Sequence, residues 1–235
     1  MKVLSGGAAA AVVRAVEQEF QQRSGQAIEG QFSAVGAMRD RLLAGAPCDL
    51  VILTRPLVDQ LVASGHVRAG STRSLGLVHT GVAVPAGRPR PDIATPEQLA
   101  SALRAASAIY FPDPQNATAG IHFMRVLQSL GLDQDCAGAL RPFPNGATAM
   151  AEMARSAEAG ESGGSGAIGC TQVTEINYTP GVELVGVLPP AFELVTDYTL
   201  GVCSQCADPE AAAVLAELLA GPASAPVRRQ GGFVF

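Results

Sequence analysis

Hydrophobic positions in this chain alternate between short unbroken runs and stretches spaced by three and four. Unbroken runs suit strands buried on both faces, and the wider spacing puts apolar side chains on one side of a helix. Val3 and Leu4 end a first strand, Ser5-Gly6-Gly7 makes a turn, and Val12, Val13, Val16 and Phe20 share one helical face. A strand over 27–32 leads into a helix over 36–44 with Met38, Leu42 and Leu43 on one side. Ala-Gly-Ala-Pro-Cys-Asp then turns the chain into a buried-type strand at 50–53 and a helix at 56–64. A long strand is predicted over 75–84, followed by the turn PAGRPRP. Thr95-Pro96-Glu97 opens a helix, with Thr95 as cap and Pro96 in the first turn. Further strands are expected at 109–111, 167–170, 183–187 and 198–203, and further helices at 121–130, 147–159 and 209–220. A flexible loop is expected at 160–166. The repeated strand–helix order predicts an α/β protein with mostly parallel sheets.

Two strand-to-helix junctions carry small and hydroxyl residues: Ser33-Ala34-Val35-Gly36 and Asn116-Ala117-Thr118-Ala119-Gly120. The first amides of a helix have no helical acceptor, and the helix dipole is positive there, so such a junction suits an anion. Ser5 and Ser33 equally suit ordinary helix caps.

Composition narrows the partners. The 235 residues carry a net charge of −5, with Lys2 as the single lysine and no basic run, which argues against nucleic acid. No apolar stretch approaches the length of a membrane span, so no membrane insertion is expected. The N-terminal segment reads as strand, turn and helix rather than as a signal peptide. The chain is therefore cytoplasmic if Met1 is the native start, or has lost a leader. Five cysteines (Cys48, Cys136, Cys170, Cys203 and Cys206) form no disulfide framework. The single pattern Cys203-Ser-Gln-Cys206 is a weak redox or metal motif and reads as incidental packing. No cluster has metal-ligand spacing, no nucleotide motif occurs, and no cofactor is implied.

Several motifs follow one another in a known order: Ser5-Gly6 after the first strand, Phe32-Ser33-Ala34-Val35-Gly36, Gly45-Ala46-Pro47-Cys48-Asp49-Leu50-Val51-Ile52, Ala119-Gly120 before a helix, and Gly166-Ala167-Ile168-Gly169. In this the chain resembles the type II periplasmic substrate-binding proteins, and within them the molybdate-binding branch of ABC importers. The resemblance implies two α/β lobes with a ligand cleft between them. Residues 1–82 with 200–235 would form the first lobe and 83–199 the second, joined by two crossing strands. It also implies a periplasmic location, a small anionic ligand, an ABC-transporter membrane subunit as partner, and a monomer.

Carried over residue by residue, the resemblance places ligand contacts at Ser5 and Gly6, at Ser33 and Ala34, and at Thr118, Ala119 and Gly120. The late tyrosine of the family falls at or near Cys170, where a weak thiol donor replaces a phenol. Thr171 and Gln172 follow it and are further donor candidates, and Asn145 precedes a helix and is another. Arg55 sits at a strand end, where a guanidinium can clamp a carboxylate, or simply lies in solvent. The chain also resembles bacterial aconitate isomerases of the same superfamily. In that reading His122, or a carboxylate such as Glu175, would carry the proton. Otherwise His122 is an ordinary packed histidine, Glu175 a surface group and Cys170 core.

Overall fold

A computed structural model describes residues 1–160 and 166–235; of the loop expected at 160–166, residues 161–165 fall outside that description. The elements run β1 (Lys2–Gly6), a 3-10 turn (Gly7–Ala9), α1 (Ala10–Ser24), β2 (Glu29–Ser33), α2 (Val35–Leu43), β3 (Leu50–Thr54), α3 (Arg55–Ala63) and β4 (Arg73–Pro85). They continue with α4 (Pro96–Ala105), β5 (Ala108–Pro112), α5 (Thr118–Ser129), α6 (Leu132–Asp135), β6 (Leu140–Phe143), α7 (Gly146–Glu158), β7 (Ala167–Gln172) and α8 (Val173–Asn177). The chain ends with β8 (Val182–Val187), β9 (Val195–Val202), α9 (Pro209–Ala220) and α10 (Ala225–Gly231).

The chain divides into two compact units, residues 1–78 with 196–235 and residues 79–195. The first unit holds a sheet in the order β2-β1-β3-β9, with β1 parallel to β2 and β3 and β9 antiparallel to β3. In the second unit β5 is parallel to β6 and β7, while β4 is antiparallel to β7 and β8. The α/β class matches the sequence reading, and among the described residues two of the three pairings in the first unit are parallel; the second unit holds two parallel and two antiparallel pairings. The antiparallel members β4, β8 and β9 make the sheets mixed, and hydrophobic alternation does not encode that direction of pairing.

Burial follows the sheets. Every residue of β3, β5 and β7 is buried, as expected for strands covered by helices on both faces. In the second unit Ile168 and Cys170 of β7 face a cluster with Phe111, Phe123, Val126 and Leu127. Ala167 of the same strand faces the opposite cluster with Tyr110, Met150 and Met153. The spacing of Phe123, Val126 and Leu127 is the three-and-four repeat that gives α5 its buried face. Thr95 caps α4 as expected. Its hydroxyl accepts the Gln98 amide at 3.3 Å and the Gln98 side chain accepts the Thr95 amide at 3.1 Å.

The C-terminal end of α9 depends on a buried cation. Arg228 is 3 % exposed and has no carboxylate partner among its hydrogen bonds. Its guanidinium donates to the carbonyls of Leu75 (2.7 Å), Ala220 (2.9 Å) and Gly221 (2.8 Å) and to the Ser224 hydroxyl (3.0 Å). The Phe235 ring covers it at 4.1 Å from the centroid. Helix-end carbonyls lack helical donors and sit at the negative end of the dipole, so a cation is well placed there. Arg228→Met keeps apolar bulk but strands these carbonyls. It should lower stability by roughly 3 kcal/mol, read from the shift of the denaturant midpoint.

Candidate functional site

Helices in this fold start in two ways. Thr95, Asn145 and Asp208 cap α4, α7 and α9 with their side chains. By contrast α2, α3 and α5, and the 3-10 turn before α1, have no side-chain cap. These uncapped starts follow the C-terminal ends of β1, β2, β3 and β5, each of which pairs in parallel. In open α/β sheets that edge is where ligands bind, because the free amides collect there.

In the first unit the edge is built from three adjacent strand ends. Ser5 is fully buried, pairs between Phe32 and Ile52, and donates its hydroxyl to the Gly6 carbonyl at 2.9 Å. Gly6 has no room for a side chain: a Cβ there would lie 2.7 Å from Val35 Cγ1 and 3.2 Å from the Tyr198 ring. Ser33 ends β2 half-buried, and Ala34 rather than Ser33 occupies the cap position of α2. Neither serine is an ordinary helix cap, and the Ser33 hydroxyl has no protein partner among the described hydrogen bonds.

Thr54 and Arg55 form the third end. Arg55 is not a free clamp, because its Nε donates to Asp197 Oδ2 at 2.8 Å. Asp197 also accepts from Ser74 (2.6 Å) and Thr199 (3.1 Å). Burial alone would raise the Asp197 pKa, but the bonds from Ser74, Arg55 and Thr199 outweigh it and hold the carboxyl below its ordinary range. The guanidinium is pushed above its usual value, first by that hydrogen bond. The sequence singled out Arg55 but missed Asp197, Ser74 and Tyr198. Pairing of β3 with β9, which puts Thr54 opposite Tyr198, brings Asp197 and Tyr198 here, and Ser74 of β4 joins through its bond to Asp197.

In the second unit Thr118, Ala119 and Gly120 form the first turn of α5. A Cβ on Gly120 would overlap the carbonyls of Pro112 and Asp113, so the helix starts against the backbone of the preceding turn. Asp113 holds that turn by accepting the amides of Gln115 and Asn116 at 2.7 and 3.2 Å. His122 is bonded through Nε2 to the Phe192 carbonyl at 2.8 Å, which fixes its ring against the loop after β8. Asn145 is a cap: its Oδ1 accepts the Thr148 amide at 2.9 Å and the Thr148 hydroxyl at 3.0 Å.

The rest of the α7 start is filled from within. The Glu175 carboxyl accepts from the Thr171 hydroxyl and from the amides of Ala147, Gln172 and Gly146. A Cβ on Gly146 would overlap both Thr171 and Glu175. Burial pushes the Glu175 pKa up, against the pull of those hydrogen bonds. Sequence reading placed Glu175 on the surface or in proton transfer; it is buried, on the short helix α8 that follows β7. Cys170 is fully buried in the apolar cluster with Phe111 and Phe123, and burial drives its thiol pKa far up. It therefore offers no donor at the strand edge. Thr171 is committed to Glu175, so neither residue near the expected tyrosine position supplies a free hydroxyl. Among the described residues no group of three or more His, Cys, Asp or Glu side chains is placed to hold a metal ion.

Comparison with known proteins agrees with this architecture. The family model for the bacterial extracellular solute-binding proteins matches residues 1–234. A relative named aconitate isomerase, from Pseudomonas sp, is 27% identical over 244 residues, covering 99% of this chain and 86% of that protein. The periplasmic molybdate-binding protein of Azotobacter vinelandii superposes with a TM-score of 0.78 at 16% identity, over 100% of this chain and 99% of that one. The sulfate-binding protein SubI of Mycobacterium tuberculosis H37Rv gives 0.73 at 17% identity, over 99% and 85%. At such identities these two structures show the fold.

The two kinds of junction should separate in mutagenesis. Asn145→Ala removes a cap and is expected to cost about 1 kcal/mol, whereas Ser33→Ala removes no protein hydrogen bond and should stay within about 0.5 kcal/mol of the parent in urea unfolding. Asp197 should also leave a signature in acid. Its folded pKa is lowered, so its stabilisation is complete above the unfolded value of about 3.9 and fades as pH falls through the folded value. Melting curves from about pH 6 downward should show Asp197→Asn less stable than the parent at the upper end and converging with it at the acid end.

Proposed function

The chain belongs to the bacterial extracellular solute-binding proteins, and we propose that it captures a small anion, an oxyanion or a small carboxylate, for an ABC-type importer. The observation that carries this reading is the half-buried Ser33 hydroxyl, without a protein partner, beside the uncapped start of α2. A hydroxyl and several amides aimed at one place favour an anion without a compensating lysine, which suits a chain with a net charge of −5. In the second unit the uncapped start of α5 offers a further set of amide donors at Thr118 and Ala119. Arg55, already paired with Asp197, contributes orientation and field rather than a free two-bond clamp. Residence outside the cytoplasm goes with this role, and no helix among the described residues is long and apolar enough to cross a membrane.

A second reading rests on Glu175 and on the relative named aconitate isomerase. Moving a proton between two carbons of a polycarboxylate needs a group that both takes and returns it near neutral pH. Glu175 is a buried carboxyl with a raised pKa, a property suited to that task. His122, tied to Phe192, is less suited.

One experiment tests both readings. Molybdate, tungstate, sulfate, phosphate, citrate and cis- and trans-aconitate are each added to the protein and the melting temperature is followed. A specific ligand raises it by mass action. Calorimetry with the hit should show Ser33→Ala binding weaker by roughly 5- to 150-fold, the equivalent of about 1–3 kcal/mol for an unpaired polar group. Absence of any shift, or unchanged affinity in Ser33→Ala, removes the anion reading built on that residue. Appearance of cis-aconitate signals from the trans isomer by proton NMR, lost in Glu175→Gln, makes the isomerase reading the correct one.

A further inference from the structure

The pattern Cys203-Ser-Gln-Cys206 suggests that these two thiols are partners, but the fold arranges them differently. Cys203 follows the last residue of β9, and its amide donates to the Asp49 carbonyl at 2.9 Å, extending the β3–β9 ladder beyond Leu50 and Val202. That brings Cys203 beside Cys48, which is 155 positions away in the sequence (203 − 48). The Cys48 thiol donates to the Leu50 carbonyl at 3.2 Å, and the Cys48 and Cys203 thiols interact with one another. Cys206 is engaged elsewhere, with the Asp49 side chain and the Asp208 backbone. All of these residues belong to the first unit.

Both cysteines line one space. A cavity of about 660 Å³ is lined by Cys48, Asp49, Cys203, His66, Lys2 and Leu43, among others. That is within the size range of small-molecule pockets. Cys48 is the more exposed of the pair, 8 % against 2 % for Cys203. We propose that Cys48 and Cys203 form a thiol–disulfide exchange site that accepts low-molecular-weight disulfides through this cavity.

The chemistry balances with the small disulfide as oxidant. The Cys48 thiolate attacks one sulfur of the small disulfide, its S–S bond breaks, and one small thiolate leaves. Cys203, its proton lost to water, then attacks the Cys48 sulfur of the mixed disulfide and expels the second small thiolate. The two cysteines lose two electrons, the small disulfide gains them, and its two thiolates take up two protons from water. The interaction with Cys203 lowers the Cys48 pKa, with the Leu4 and Leu50 amides adding to it against burial. The same pairing, together with burial, raises Cys203. This assigns attack on the oxidant to Cys48 and closure of the bond to Cys203.

The test uses the full chain, reduced and then incubated with oxidised glutathione. Remaining thiols are alkylated and the peptides mapped by mass spectrometry. Two of the five thiols should be lost, with a peptide joining Cys48 to Cys203 that a reductant reverses. Cys206→Ser should form the same link, and Cys48→Ser should form none. A link between Cys203 and Cys206, a glutathione adduct that stops at Cys48, or five thiols still free in the parent would each overturn the proposal. Because it does not involve the anion-binding residues, its failure leaves that reading untouched.

Discussion

Lack of room at the strand ends governs much of this molecule. Where β1 and β5 deliver the chain into a helix, a Cβ at Gly6 would run into the Val35 side chain, and one at Gly120 into the carbonyls of Pro112 and Asp113. At both starts, and at the Ala34 start of α2, no side chain of the chain itself turns back to cap the helix. The unpaired amides are therefore a consequence of tight strand–helix packing. They need something from outside, water or a ligand, because an unmet donor is costly wherever it is buried.

Where the chain can supply its own acceptor it does so. Glu175 fills the start of α7 and Asn145 completes the cap. Asp197 similarly takes the Arg55 cation. The mirror case is Arg228, which answers the carbonyl end of α9 with a cation and no acid beside it. Helix ends are thus met by internal charges at structural places and left to neutral dipoles at the candidate site. Recognition by dipoles would let a negatively charged chain with one lysine hold an anion, as proposed above: fixed amides act at contact distance, while the net charge is spread and screened.

The pattern of apolar residues made the helices and the buried strands legible. Val12, Val13, Val16 and Phe20 announce α1, and Thr95-Pro96 announces both the start and the cap of α4. What it could not convey was local or directional. β6 is a short strand with Arg141 and Pro142 at its centre, and α8 spans a single turn beside a strand, so neither has room for a periodic signal. Strand direction is carried by long-range pairing alone, and the mixed sheets followed from it. At the site, Ser5, Ser33 and Thr118 stand out because hydroxyl residues recur at successive strand-to-helix turns, a pattern that ordinary helix caps also produce. Asp197, Ser74 and Glu175 were not legible as partners, since each acquires its neighbours by tertiary packing.

The cysteines carry the same lesson further. Cys203 and Cys206 are three residues apart in sequence, whereas antiparallel pairing of β3 with β9 sets Cys203 opposite Asp49, next to Cys48. A ladder fixes which residues oppose one another, and it does so regardless of how much chain lies between. Cys170 shows the opposite outcome. Its place in a family motif suggested a ligand contact, but strand alternation sends Ile168 and Cys170 to the core face, where burial leaves the thiol inert. The first unit thus holds Cys48, Cys203 and Cys206 close together, with Cys48 and Cys203 lining a cavity, while the second holds Cys136 and Cys170 buried in its core.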